Sequence, residues 1–239
     1  MSIFLELKKI HRTGLLLGIL AGGLLAAAVP ILNIAARPET FLSMQGSPLA
    51  ILISQNWSML GMLNLFYLII GASILYHIEY ADGAMEKMKA LPLSQGGIFA
   101  AKTLLLWAMG GVVLMLELLA IGFCAWHWFS ATHLLLSLLA ELGFQLVMLL
   151  PACILMMLIS SLCRNLWVTL GIGVILLFAV ITTNTIDSLA VQLFPFALSL
   201  SSFTQANTES WLYLAAAGGE SILFGLAETI LIPARRRFA

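Results

Sequence analysis

The chain predicts an all-α integral membrane protein with six transmembrane helices and both termini on the cytoplasmic side. Three observations carry that class. Hydrophobic residues make up 62% of the 239 residues and charged residues only 9%, and the mean hydropathy is +1.06, too apolar for a soluble surface. The apolar residues fall in runs long enough to cross a bilayer as helices, without the alternating ten-residue segments of a barrel. The basic residues also sort by side. Lys8, Lys9, Arg12, Lys87, Lys89, Lys102, Arg164, Arg235, Arg236 and Arg237 lie inside, and Arg37 alone lies outside, an asymmetry that sets orientation. A single transmembrane domain over residues 1–239 accommodates all of this.

Residues 2–12, SIFLELKKIHR, place Ile3, Phe4, Leu7 and Ile10 on one helical face and Lys8, Lys9 and Arg12 away from it. Such an amphipathic helix suits the cytoplasmic membrane surface, although a plain basic flank has the same composition. Span one is expected at roughly 14–35. Its apolar run continues through Pro30 to Ala36, longer than the core of a cleaved leader, which favours an uncleaved span. Residues 37–55 read as an outer loop.

Span two is expected at roughly 56–76, with Trp57 and Tyr76 at its two interfaces. Span three follows at about 98–125, and Trp126, His127 and Trp128 read as an outer turn. Span four, about 133–161, carries Pro151 as a kink site. Arg164 and Asn165 mark an inner turn before span five, about 166–186. Leu189 to Leu200 is apolar, too short to cross and broken by Pro195, the pattern of a re-entrant segment. Span six is expected at about 211–232, ended by Pro233 and the basic tail.

The longest polar interval, His77 to Lys102, lies on the cytoplasmic side. Asp82 can cap a short helix and Pro92 disfavours helix at Leu91. Between them Ala81, Ala84, Met85, Met88 and Leu91 recur at three- and four-residue spacing, with Lys87 and Lys89 off the stripe. Such a stripe can dock in a groove on another protein, and methionine repacks readily there. Resting on lipid or on span ends is the simpler use.

Glu79, Asp82-Gly83, Glu86, Leu91-Pro92-Leu93-Ser94 and Lys102 together resemble the pattern after the second span of ABC-2 type transporter permeases. There these residue types surround the coupling helix that contacts the ATPase. The Met-Lys-Ala before Leu91 departs from the more aliphatic residues of many relatives. Small size and the lack of a fused ATP-binding domain look most like the permease subunits of lantibiotic-immunity and bacitracin-type exporters. The resemblance implies a coupling helix formed by Glu79, Asp82, Gly83, Met85, Glu86, Met88, Leu91 and Pro92. It also implies a separate ABC ATPase that binds ATP and Mg, a second permease (identical or homologous), a bacterial plasma-membrane location and a peptide substrate. A drug, lipid or ion exporter is the alternative within that class, and a non-transporting membrane scaffold the alternative outside it. No P-loop GxxxxGK[ST] occurs in the chain, so hydrolysis by that route would fall to the partner and no cofactor is expected here.

Glu117, Glu141 and Glu220 each fall eight or nine residues from the outer end of their spans, a depth of roughly 12–14 Å. Intramembrane carboxylates at one depth without a basic partner nearby suggest an outward acidic pocket for a cationic ligand. Protonated, hydrogen-bonded carboxyls are the simpler explanation. Glu228, near the inner end of span six, is expected to meet the basic tail. The four histidines form no HExxH pattern, the three cysteines have no CxxC spacing, and the eleven methionines form no cluster with histidine, so no metal site is expected. The paired glycines 22–23, 110–111 and 218–219, and Gly71, Gly171 and Gly173, read as helix-packing positions. Zero net charge implies no attraction to nucleic acid.

Overall fold

In the computed structural model the described residues are 6–7, 9–10, 13–80, 95–183, 188–206 and 210–238. Six helices among them are long and apolar enough to cross a membrane, and no strand occurs among the described residues. Span one is Leu15–Ala36, span two Pro48–Tyr80 and span three Gln95–Phe129. Span four is Leu135–Leu162, span five Leu166–Thr183 and span six Ser210–Phe238.

Spans two and three are longer than hydropathy alone implies. Span two has 33 residues and span three 35, each about 50 Å at the helical rise, against a hydrocarbon core of about 30 Å. Hydropathy sees only the stretch that lipid covers, whereas backbone hydrogen bonding continues past it. Span two therefore begins at Pro48, where proline's missing N–H is no loss, and the expected outer loop shrinks. A short helix, Pro38–Leu42, occupies part of the rest.

The same lengthening corrects two aromatic placements. Trp57 lies in the third turn of span two and is 1% exposed, so it is a core residue. Trp126, His127 and Trp128 are the last helical turn of span three, and the chain reverses afterwards through Ser130 and His133, both at positive φ. Asn165 does make the turn into span five, accepting from the Trp167 N–H at 2.9 Å. Span six continues through Pro233, which removes one N–H without ending the helix.

Span two is the hub. It packs against spans one, three, four and five, while span one lies chiefly on span three and span six chiefly on span four. Lipid is as apolar as leucine, so these contacts rest on close van der Waals fit. Tyr67 illustrates it: its ring lies where a Gly22 side chain would be, and its hydroxyl donates to the Gly22 carbonyl. A β-carbon on Gly173 would stand 2.6 Å from Ile69 Cγ2. Gly171, Gly218 and Gly219 face no neighbour within 4 Å among the described residues, so the packing role expected of them is not made there.

Span four runs unbroken through Pro151. Near that proline the carbonyls of Leu146 and Met148 accept from Trp107 Nε1 at 2.8 Å and Ser199 Oγ at 3.2 Å. Between spans five and six the described residues form three short helices, Leu189–Gln192, Pro195–Leu200 and Phe203–Ala206. The middle one is buried from Pro195 to Ser199. None is long enough to cross.

Candidate functional site

The end of the bundle that carries residues 6–14 and the start of span three holds a buried ionic network. Glu6 and Lys9 come from the helical residues before span one, Glu79 from the last turn of span two, and Lys102 from near the start of span three. Lys102 Nζ reaches Glu6 Oε2 at 2.9 Å and Glu79 Oε1 at 2.9 Å. It also donates to the Leu75 carbonyl at 2.8 Å, so the ammonium is held on three sides. The Tyr76 ring centroid lies 5.8 Å from the same nitrogen. Lys9 Nζ contacts Glu6 Oε1 at 3.0 Å and Glu79 Oε1 at 2.9 Å.

Two ammonium groups and two carboxylates thus alternate around a neutral cluster. Glu6, Glu79 and Lys102 are at most 2% exposed, whereas the Lys9 side chain is 35% exposed. Burying a lone charge costs several kcal/mol or more, and only mutual pairing with filled hydrogen bonds offsets it. Burial alone would raise the Glu6 carboxyl, but Lys102 and then Lys9 outweigh it and hold it below the usual carboxylate range. Burial alone would lower the Lys9 ammonium, but Glu79 and Glu6 outweigh it and hold it above the usual lysine range. The Glu6 contribution is therefore complete above pH 4.5 and fades as pH falls through its lower folded value. The Lys9 contribution is complete below pH 10.5 and fades as pH rises through its higher one.

Of the residues expected to form the coupling helix, Glu79 is in this network. Asp82, Gly83, Met85, Glu86, Met88, Leu91 and Pro92 lie outside the described residues. Lys102, read from sequence as the end of the polar interval, is 1% exposed, because span three carries it against span two. The N-terminal face is also rearranged. Glu6 and Ile10 point inward, at 0% and 1% exposure, while Leu7 is 36% exposed. Glu6 stands three residues after Ile3 and four before Ile10, so the helical wheel already put an acid among the apolar residues. That was the signal for the residue sequence reasoning passed over.

The three intramembrane glutamates have separate surroundings. Glu117 is 0% exposed. Its Oε2 accepts from Asn64 Nδ2 at 2.9 Å, and its Oε1 has no hydrogen-bond partner among the described residues. Asn64 and Tyr67 also line a small cavity with Leu106, Leu149 and Cys153, with room for about one water. Glu141 is 1% exposed and fully engaged. Its Oε1 accepts from the Phe203 N–H at 3.0 Å and Gln145 Nε2 at 3.1 Å, and its Oε2 accepts from Thr204 Oγ1 at 3.0 Å. Gln145 Nε2 also donates to the Ser201 carbonyl at 2.6 Å. Glu141 thereby caps the short helix Phe203–Ala206 from a neighbouring span. Glu220, on span six, has an Oε2 with no partner among the described residues.

Glu228 is buried beside the start of span three. Both its carboxylate oxygens lie 3.9 Å from where a Gly96 β-carbon would be, and its Oε1 has no partner among the described residues. Of the basic-tail residues it was expected to meet, only the helical backbone is described.

Six apolar helices, the second of them central, with a buried ionic network at one end, define a multi-pass helical membrane protein. Residues 2–180 match the family model described as ABC-2 family transporter protein. The chain belongs to that family, as a permease and membrane transport component of the bacterial plasma membrane. No curated protein and no solved structure matches it. The family match ends within span five, so the capped segment and span six rest on the structure alone.

Proposed function

We propose that the chain is the transmembrane subunit of an ATP-driven exporter that expels a cationic, lantibiotic-like peptide and so confers immunity. In this reading the network end faces the cytoplasm, and a separate ABC ATPase docks on residues 81–91. That partner binds ATP and Mg. A second permease, identical or homologous, completes the assembly. The observation that carries the reading is the Glu79–Lys102 pair at 2.9 Å. It joins the two flanks of residues 81–94, so that stretch leaves from and returns to one stiff base, as a docking element requires.

Its test is co-purification in mild detergent. The wild-type chain is expected to bring down an ATPase, and a Met85→Asp/Met88→Asp variant to fold yet lose ATP-dependent transport, since charge in an apolar groove is unfavourable. Unaltered transport by that variant would sink the docking role. Absence of any ATPase would favour a non-transporting scaffold.

In this reading the peptide specificity draws on the outward acidic pocket expected from Glu117, Glu141 and Glu220, whose surroundings here are separate. Two of these keep a buried oxygen without a donor among the described residues, Glu117 Oε1 and Glu220 Oε2, which a ligand ammonium could meet. Glu141 would form part of the wall, its oxygens already engaged. A Glu117→Gln/Glu220→Gln variant is expected to lower resistance to a cationic lantibiotic by about tenfold or more at equal expression, through loss of charge attraction. Unchanged resistance to the peptide would remove the pocket, and export of a drug, lipid or ion would become the better reading.

A further inference from the structure

The geometry points to Glu6, Lys9 and Ile10 as a charge-operated latch that pivots at Gly14 and ties span one to the flanks of residues 81–94. Four observations carry it. Glu6 and Lys9 have their ion partners on spans two and three rather than on span one. Ile10 is 1% exposed, so the segment is seated as well as paired. The turn after it is closed by the Thr13 hydroxyl, which donates to the Ile10 carbonyl at 2.7 Å and accepts from the Leu15 N–H at 3.4 Å. Gly14 then takes φ +71°, with nothing among the described residues within 4 Å of its β position, a left-handed conformation that L side chains resist.

These features divide the segment into a docked arm and an uncrowded pivot. The arm is held by short charge-assisted hydrogen bonds, which are lost when a partner moves beyond hydrogen-bond distance. A β-carbon at the pivot would meet nothing within 4 Å among the described residues, so the space on that side is open for it to turn. Any displacement of the Glu79–Lys102 base moves Glu6 and Lys9 with it, and through Gly14 it pulls on span one. Lys102 and Glu6 are positioning residues in this device. The part of the inference that links the latch to an ATPase stroke rests on the proposed function above, whereas the docking itself does not.

Amide hydrogen exchange of the full chain in lipid nanodiscs, without ATPase or peptide, tests the latch. Lys102→Met is expected to speed exchange over residues 6–13 by about tenfold or more while the interior of span three, 106–125, stays protected. Gly14→Ala changes no ion pair, yet it is expected to speed exchange over 6–13 by about tenfold, because alanine disfavours the docked turn. Gly14→Asn, which tolerates that conformation, is expected to restore most of the protection. Exchange over 6–13 that is unaffected by Lys102→Met, or that is the same in the Gly14→Ala and Gly14→Asn variants, would overturn the latch. If Lys102→Met unfolds the bundle, exchange at 106–125 rises too, and the two Gly14 variants then decide the matter. A missing ATPase would defeat the proposed function and leave these results standing.

Discussion

Replacing Lys102 by Met is expected to destabilise the protein by about 3–5 kcal/mol, the usual cost of removing one partner from a buried ion pair. Methionine nearly keeps the length of the side chain, so packing changes little and the loss isolates the charge. Glu6 and Glu79 would then share only Lys9, which is 35% exposed and screened by solvent. The Leu75 carbonyl would lose its side-chain donor as well. The measurement is a denaturation curve in detergent or mixed micelles. A Glu6→Gln/Lys102→Met double variant removes one charge of each sign and is expected to recover about half of the deficit. A Lys102→Met protein within about 0.5 kcal/mol of wild type would mean that the network contributes nothing.

Replacing Glu141 by Ala is the second large effect, about 2–3 kcal/mol. Hydrogen bonds to a charged group are worth more than neutral ones, and leaving buried donors unpaired adds to the cost. Three donors depend on this carboxylate: the Phe203 N–H, Gln145 Nε2 and Thr204 Oγ1. Gln145 keeps its bond to the Ser201 carbonyl and Phe203 is partly exposed, which holds the estimate below the sum of three bonds. Hydrogen exchange would show the effect confined to the segment around Ser201–Ala206. Glu141→Gln retains an acceptor oxygen and is expected to cost about 1 kcal/mol. Equal losses for the Ala and Gln variants would show that charge, rather than capping, is what the segment needs.

The two variants probe opposite ends of the molecule by the same physics. At one end two lysines and two glutamates cancel in a buried cluster. At the other a single carboxylate finds only neutral donors. Glu117 lies between these cases, with one oxygen bonded to Asn64 and the other without a partner among the described residues. Equal depth made the three glutamates look alike along the sequence, and their neighbours make them different. Depth follows from counting residues along a helix, whereas partners come from other helices, which sequence spacing does not reveal.

The resemblance carried by Glu79, Lys102 and the residues between them pointed to the right family, because motif residues keep their spacing. It did not reveal that Lys102 is buried. The same limit applies to Gly173 and Gly218, both small residues in apolar runs. One meets Ile69 of span two and the other meets nothing among the described residues.

Composition and the period of the apolar runs by themselves determined the helical membrane class and the six crossings. A bilayer demands internally bonded backbone and about twenty apolar residues per crossing, and both demands are local along the chain. Only the tertiary structure decided that Glu6 faces inward, that Lys102 is shared by two carboxylates, and that Glu141 caps a helix far along the chain. Charges buried in a low-dielectric interior must find partners wherever the fold places them, and those partners lie 96 and 62 positions apart in the chain.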